Sequence, residues 1–198
     1  MAVGTLFKLI QFRFEHMIEH WKVKTSRYIL DRWWLKVRED HVVLPSGKEM
    51  PEFHVLEYPD WTMMLGQNER GDLVLVEQYR HGIGRLSLEF PSGMLEKGES
   101  PEAGARREFE EETGYVCGDV CEIGALVEDP SRHNNTAHAF YCGSATPSGV
   151  QQLDETESLQ IVCMSIAEVQ DAIKSGRMVH GLHIGTFYRA LYQGLLAH

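Results

Sequence analysis

Only four cysteines occur in 198 residues, at positions 117, 121, 142 and 163, and no two make a Cys-x-x-Cys pair. Without a secretory context, that spacing excludes a disulfide framework and a cysteine-based zinc site. It predicts reduced thiols half-buried in a core. Long apolar runs are missing as well. Lys8, Arg13, Glu15 and Glu19 break up the first twenty residues, so nothing there reads as a membrane span. No basic region precedes an apolar run and no small-residue cleavage site follows one, which argues against a secretory signal. These absences predict a cytoplasmic protein with no membrane partner. Basic charge is also scarce: 19 Lys and Arg face 29 Asp and Glu, for a net charge of −10. Phosphate backbones are held mainly by Lys and Arg, so a general nucleic-acid binder is excluded. A small phosphate-bearing ligand is not, because a divalent cation can bridge acid to acid. Internal repeats and low-complexity tracts are absent too.

What remains is the composition of a globular enzyme-sized chain, with 43% hydrophobic residues to build a core. Val3, Phe7, Ile10, Phe14, Met17 and Trp21 recur at steps of three and four, an amphipathic helical stripe suited to packing on the chain's own domain or a second subunit. His41–Leu44 runs into the turn Pro45-Ser46-Gly47, and Glu52–Tyr58 alternates like a strand. Trp61–Leu65 and Leu73–Tyr79 are rich in strand formers, with a hairpin turn over Asn68–Asp72 between them. Pro101 opens a run closed by Gly114, the asymmetry expected of a helix. Val120–Val127, Ala137–Cys142 and Leu159–Met164 read as strands, and Ala167–Ser175 and Ile184–Leu196 as helices. Mixed strands and helices give an α/β or α+β fold. Residues 1–55 form an added helix and β arm, and residues 56–198 form the main domain.

Chemistry concentrates between Gly93 and Tyr115. On a helix turning about 100° per residue, Glu108, Glu111 and Glu112 share one face while Glu110 points elsewhere. Like charges at these spacings repel unless something cationic lies among them. A solvated acidic surface is the plain reading of three such glutamates. The sharper one is a site for a hard divalent cation, which takes oxygen ligands and shares them with substrate phosphate.

The flanking residues favour the sharper reading. Gly93-x5-Glu99-x7-Arg107-Glu108-Phe109-x-Glu111-Glu112-x-Gly114-Tyr115 resembles the Nudix box at every specified position, with Phe109 and Tyr115 at its bulky apolar places. The resemblance implies a Nudix α/β/α sandwich with a mixed sheet, and hydrolysis of a nucleoside diphosphate linked to another moiety. It implies that Glu108, Glu111 and Glu112 bind Mg2+, with Mn2+ able to substitute, and that Arg107 holds a glutamate in place. Glu99 would brace the loop against the helix, and Gly93 and Gly114 would allow shapes that a β-carbon opposes.

Gln78-Tyr79-Arg80-His81-Gly82 and Leu88-Glu89-Phe90-Pro91-Ser92-Gly93 resemble the ADP-ribose and nucleotide-sugar pyrophosphatase branch of that family. Arg80, with Glu89, would then contact substrate, and the Ser92 carbonyl would reach a metal where relatives carry Ala. Pro130, 15 residues beyond Tyr115, fits the same branch, although turns attract proline anyway. The acidic run Asp154-Glu155-Thr156-Glu157 resembles the loop that supplies a further carboxylate. It makes Glu155 the base that deprotonates water and Glu157 an additional metal ligand, or the reverse. Arg132, His133 and Asn135 are candidates to approach the sugar or base.

Nucleobases call for aromatic faces. Relatives of this branch stack the base across a swapped homodimer interface, and the resemblance implies that Trp33 or Trp34 does so here, with Tyr28 and Trp61 as alternatives. The substrate expected is a nucleotide sugar, ADP-ribose first, with GDP-mannose or a broad range of nucleoside diphosphate sugars as the alternative. A catalytically silent nucleotide-sugar sensor would call for a damaged box and an appended basic module, and neither is present. Residues 96–112 carry a net charge of −4, and Asp154–Glu157 carry −3. The acidity is therefore local to the suspected phosphate site.

Overall fold

In the computed structural model, residues 18–149, 151–153 and 158–196 are described. They divide between two compact units, residues 1–57 and 58–198. The stripe over residues 3–17 and the acidic run 154–157 lie outside the described residues. Trp21, the last member of that stripe, is not helical: it precedes the first strand and packs edge-on against Phe53, with ring centroids 5.5 Å apart.

The first unit is an antiparallel sheet of β1 (Lys22–Arg32), β2 (Leu35–Val43) and β3 (Glu49–Glu57), in that order. β1 is exposed at every position, so it shows none of the apolar–polar alternation that marks a half-buried strand. The register Arg32↔Leu35 makes Trp33-Trp34 a two-residue turn, with the two rings edge to face at 5.6 Å. Asp40 is buried within this sheet, and Arg38 answers its charge through Nε at 3.0 Å.

The second unit is an eight-stranded mixed sheet. β4 (Trp61–Asn68) and β5 (Leu73–Arg80) meet only near their hairpin, through Gly66↔Val74 and Gln67↔Leu73. They then diverge. β5 takes β6 (Arg85–Glu89) as its partner and β4 takes β7 (Ser92–Met94), so the chain between Glu89 and Ser92 bridges the fork. β10 (Ala137–Pro147) runs parallel to β4 and carries β8 (Tyr115–Cys117) and β9 (Val120–Leu126) as antiparallel partners. β11 (Leu159–Met164) closes the far edge on β5.

Period-two alternation sends side chains to opposite faces. Met63, Leu65, Leu73, Leu75 and Ala139 enter one core, shared with Val169 of α2 (Ile166–Ser175) and Phe187 of α3 (Gly181–Tyr192). Met64, Val74, Phe140 and Cys142 enter the other, where Ala105 and Phe109 of α1 (Pro101–Thr113) cover them. Helices thus lie on both faces of the sheet, an α/β/α sandwich. No helix among the described residues is long and apolar enough to cross a membrane.

Several expectations change. Cys142 is buried and Cys117 half-buried, but Cys121 and Cys163 are exposed, because their strands turn those positions away from the cores. α3 starts at Gly181 rather than Ile184 and stops at Tyr192, and β10 extends five residues past Cys142. Trp61 is half-buried against the first core, lying 5.7 Å from His183, which makes it a packing residue rather than an open stacking face.

Candidate active site

The candidate site is built from the fork in the sheet and the helix that follows it. β7 leads into a loop, and Ser100 caps α1 by accepting a hydrogen bond from Ala103 N at 3.2 Å, with Pro101 in the first turn. Gly114 ends the helix in the left-handed region at φ 66°. α1 is thereby fixed at both ends with its acidic face held against β7. The approach there is close: a β-carbon on Gly93 would lie 2.1 Å from Glu108 Oε1, so the carboxylate held by Arg107 would have to move aside.

Arg107 organises that face. Its Nε and Nη2 both donate to the Glu99 carboxylate at 3.0 Å, and Nη2 also reaches the Met94 carbonyl at 3.2 Å. Its Nη1 donates to Glu108 Oε1 at 2.8 Å and to Glu111 Oε2 at 3.0 Å. The guanidinium fork therefore ties the loop to the helix and holds two further carboxylates. Hydrogen bonds from Arg107 keep the Glu99 carboxyl below its ordinary range, against a smaller opposing effect of burial. Hydrogen bonds to Glu99 foremost, then to Glu108 and Glu111, in turn raise Arg107 above its usual value, so the guanidinium keeps its charge.

Glu112 is held differently. It is buried, and its Oε2 accepts the Ser92 backbone N–H at 3.0 Å. The end of α1 is tied to the following chain as well: Gln152 N donates to the Glu111 carbonyl at 2.8 Å, and Gln151 Nε2 to the Glu112 carbonyl at 2.6 Å. Residues 151–152 are thus anchored to the last turn of α1, immediately ahead of the acidic run that carries Glu155 and Glu157. Those two glutamates lie outside the described residues.

At the other side of the fork, Arg80 meets Glu89 in a two-point ion pair, with Nε donating to Oε1 at 3.1 Å and Nη2 to Oε2 at 2.5 Å. Glu89 is 1% exposed, whereas the Arg80 side chain is 44% exposed. Burial, the largest single influence, favours the neutral acid, but the hydrogen bond and charge of Arg80 together with His183 and Ser87 outweigh it and hold the Glu89 carboxyl below its ordinary range. The pair holds an arginine at the surface on a buried carboxylate anchor.

The register also brings the loop ahead of β10 to this side of the sheet. Trp61 on β4 faces Met94 on one flank and Ala137 on the other. Asn135 is buried, with its Nδ2 3.4 Å from the Pro59 carbonyl, and His133 lies 5.3 Å from the Tyr58 ring. Arg132 is exposed. Trp33 and Trp34 belong to the first unit and are 73% and 49% exposed. Tyr28 donates its hydroxyl to Glu57 at 3.0 Å, which ties it to its own sheet.

The donor set fits a hard divalent cation: one helical face presents only carboxylate oxygens, and four glutamates gather around a single guanidinium and the Ser92 amide. Among the described residues, no three His, Cys, Asp or Glu side chains converge as a ready ligand set. Glu108 and Glu111 are drawn to Arg107, and Glu112 to Ser92. The sequence motif did not flag His183, which accepts a hydrogen bond from Phe90 N beside this site. A lone histidine on a helix gives no signal by itself.

Residues 60–182 match the NUDIX domain model, and residues 21–56 match the model of the nucleoside diphosphate sugar hydrolase N-terminal domain. The ADP-ribose pyrophosphatase of Bacillus subtilis is 32% identical over 136 residues, covering 68% of this chain and 71% of that one. The methanol dehydrogenase activator of Bacillus methanolicus is 29% identical, over 82% of this chain and 87% of its own length. A crystal structure of an ADP compounds hydrolase superposes with a TM-score of 0.80 at 18% identity, over 90% of this chain and 96% of the other. That last likeness speaks to the fold.

Proposed function

The chain belongs to the Nudix family, and from that premise we propose that it hydrolyses the diphosphate bond of ADP-ribose and related nucleoside diphosphate sugars. The products are a nucleoside monophosphate and a sugar phosphate. What carries this reading is the Arg107-centred carboxylate face, intact in a chain that also matches a nucleoside diphosphate sugar hydrolase N-terminal domain.

Hydrolysis at phosphorus asks the protein mainly for positioning and for charge to offset the anionic diphosphate. Glu108, Glu111 and Glu112, with the Ser92 carbonyl and Glu157, would hold Mg2+. Bound there, Mg2+ would supply the charge that lowers the pKa of water and screens the diphosphate. The remaining tasks belong to this chain's own side chains. Arg107 offsets the charge of the Glu108 and Glu111 carboxylates and limits their rotation. Arg80, braced by Glu89, presents its exposed guanidinium to the diphosphate. Glu155 takes the proton from the attacking water, supported by the anchoring of Gln151 and Gln152 to α1 and of Leu159 opposite Gln78, two residues from Arg80.

Trp33 or Trp34 of one subunit would stack the base across a homodimer interface, and Arg132, His133 and Asn135 would approach the sugar or base. An exposed β1 bearing Val23, Tyr28, Ile29 and Leu30 supports a homodimer built through the first unit. The test is a hydrolysis panel with Mg2+ over ADP-ribose, ADP-glucose, GDP-mannose, UDP-glucose and ATP. ADP-ribose should yield equal amounts of AMP and ribose phosphate. Rapid turnover of ATP with none of the diphosphate sugars cleaved would overturn the substrate class.

A further inference from the structure

His183 is the one fully buried imidazole beside the site among the described residues, and the catalytic scheme above makes no use of it. It sits on α3, 1% exposed, and its Nδ1 accepts the Phe90 backbone N–H at 3.0 Å across 93 residues of sequence. Its ring lies parallel to Phe90 within 3° and close to Trp61 and His180. With Nδ1 accepting, the ring proton sits on Nε2. Burial keeps the ring neutral, lowering its pKa to about 3.

Phe90 lies in the short bridge across the fork. Glu89 is the last residue paired to β5 and Ser92 the first paired to β4, so neither strand's ladder takes the Phe90 N–H. Pro91 has no N–H, and its carbonyl accepts Met64 N at 3.0 Å. Each end of this bridge carries one part of the site. The Glu89 side chain holds Arg80, and the Ser92 N–H holds Glu112. A buried backbone donor left without its acceptor forces the chain to shift toward another partner. Here any such shift moves the anchors of both Arg80 and Glu112.

We propose that His183 is a positioning residue for the hydrolysis, acting through the Phe90–Ser92 bridge to set Glu112 and Arg80 in mutual register. Its role rests on the function proposed above, yet it has a signature that needs neither substrate nor metal. The substitution His183→Asn retains a carbonyl acceptor near the position of Nδ1, whereas His183→Phe keeps an aromatic ring and removes the acceptor.

The experiment compares wild type, His183→Asn and His183→Phe by amide hydrogen exchange at Phe90 and Ser92 and by ADP-ribose kinetics. In His183→Phe both amides should exchange at least about tenfold faster. Its kcat should fall on the order of ten- to a hundredfold while KM stays within about threefold. His183→Asn should restore amide protection and most of kcat. A wild type that leaves ADP-ribose intact would remove the proposed function, and the exchange data would then judge the positioning role alone. Unchanged Ser92 protection in His183→Phe, or equal losses in both variants, would overturn the proposal. Should His183→Phe fail to fold, His183→Leu replaces it; if both apolar variants fail, the role is in folding and positioning is refuted.

Discussion

Arg107 shows what one residue contributes here. Glu108, Glu111 and Glu112 on one helical face would repel; a single guanidinium, anchored on Glu99 in the loop, lies 2.8–3.0 Å from Glu108 and Glu111 and turns that repulsion into order, while Glu112 is held by the Ser92 amide. The box pattern made these residues legible, because their spacing on α1 follows from helical period alone. His183 was not legible, since its meaning depends on a contact 93 residues away. It also carries a pH signature. Burial holds its folded pKa near 3, against about 6.5 for an unfolded histidine, so on acidification the unfolded chain takes the proton first. Its contribution to stability is complete above about pH 6.5 and is lost as pH falls toward 3, at up to ~1.4 kcal/mol per pH unit. Denaturant unfolding between about pH 7.5 and pH 5 should therefore show a steeper loss in wild type than in His183→Leu. Equal slopes would refute the assignment. For the acidic run, Glu155→Gln should depress kcat far more than KM in steady-state assays. A kcat loss confined to Glu157→Gln would transfer the role of base to that residue.

At the scale of elements, the sequence was informative where local chemistry sets the boundary. Pro101 and Gly114 delimit α1 because a proline in the first turn and a left-handed backbone at the end are local demands. The three-residue strands β7 and β8 left no such mark: their pairing is decided by β4 and β10, distant in sequence. β1 was hidden for another reason, since a strand exposed at every position has no alternation to read. Gly114 offers a test of the local logic. A β-carbon there would meet the Gly149 carbonyl oxygen at 2.8 Å on top of the cost of φ 66°. Gly114→Ala should destabilise the protein by about 1–2 kcal/mol or more, visible as a lowered midpoint in thermal melts. Phe109 and Tyr115 should keep the helix in place in that variant, so far-ultraviolet circular dichroism at low temperature should be retained.

Across the whole molecule, the surplus of acid has a location. Much of the net charge of −10 resides in residues 96–112 and 154–157, the segments proposed to hold a metal and the water-activating base. The exposed β1 and the Trp33-Trp34 turn place apolar surface on the other unit, where a monomer gains nothing from it. Sedimentation equilibrium should give twice the 22.6 kDa chain mass. Replacing both tryptophans by serine should raise KM for ADP-ribose about tenfold or more, since base stacking contributes roughly 1–3 kcal/mol, with little effect on kcat. An unchanged KM would place base recognition elsewhere. The fold class and the bounds of α1 could be read from the sequence because each depends on short patterns. The fork that joins Arg80 to Glu112 could not, because it arises from pairing among four separated strands.

The central claim is that the carboxylate face of α1 performs the hydrolysis, and Glu112 tests it most directly. Glu112→Gln keeps an oxygen to accept the Ser92 N–H while removing the charge, so the fold should survive. Measured on ADP-ribose with saturating Mg2+, kcat for Glu112→Gln should fall on the order of 10²–10³-fold with an unchanged thermal midpoint. A variant that turns over as fast as wild type would contradict the account.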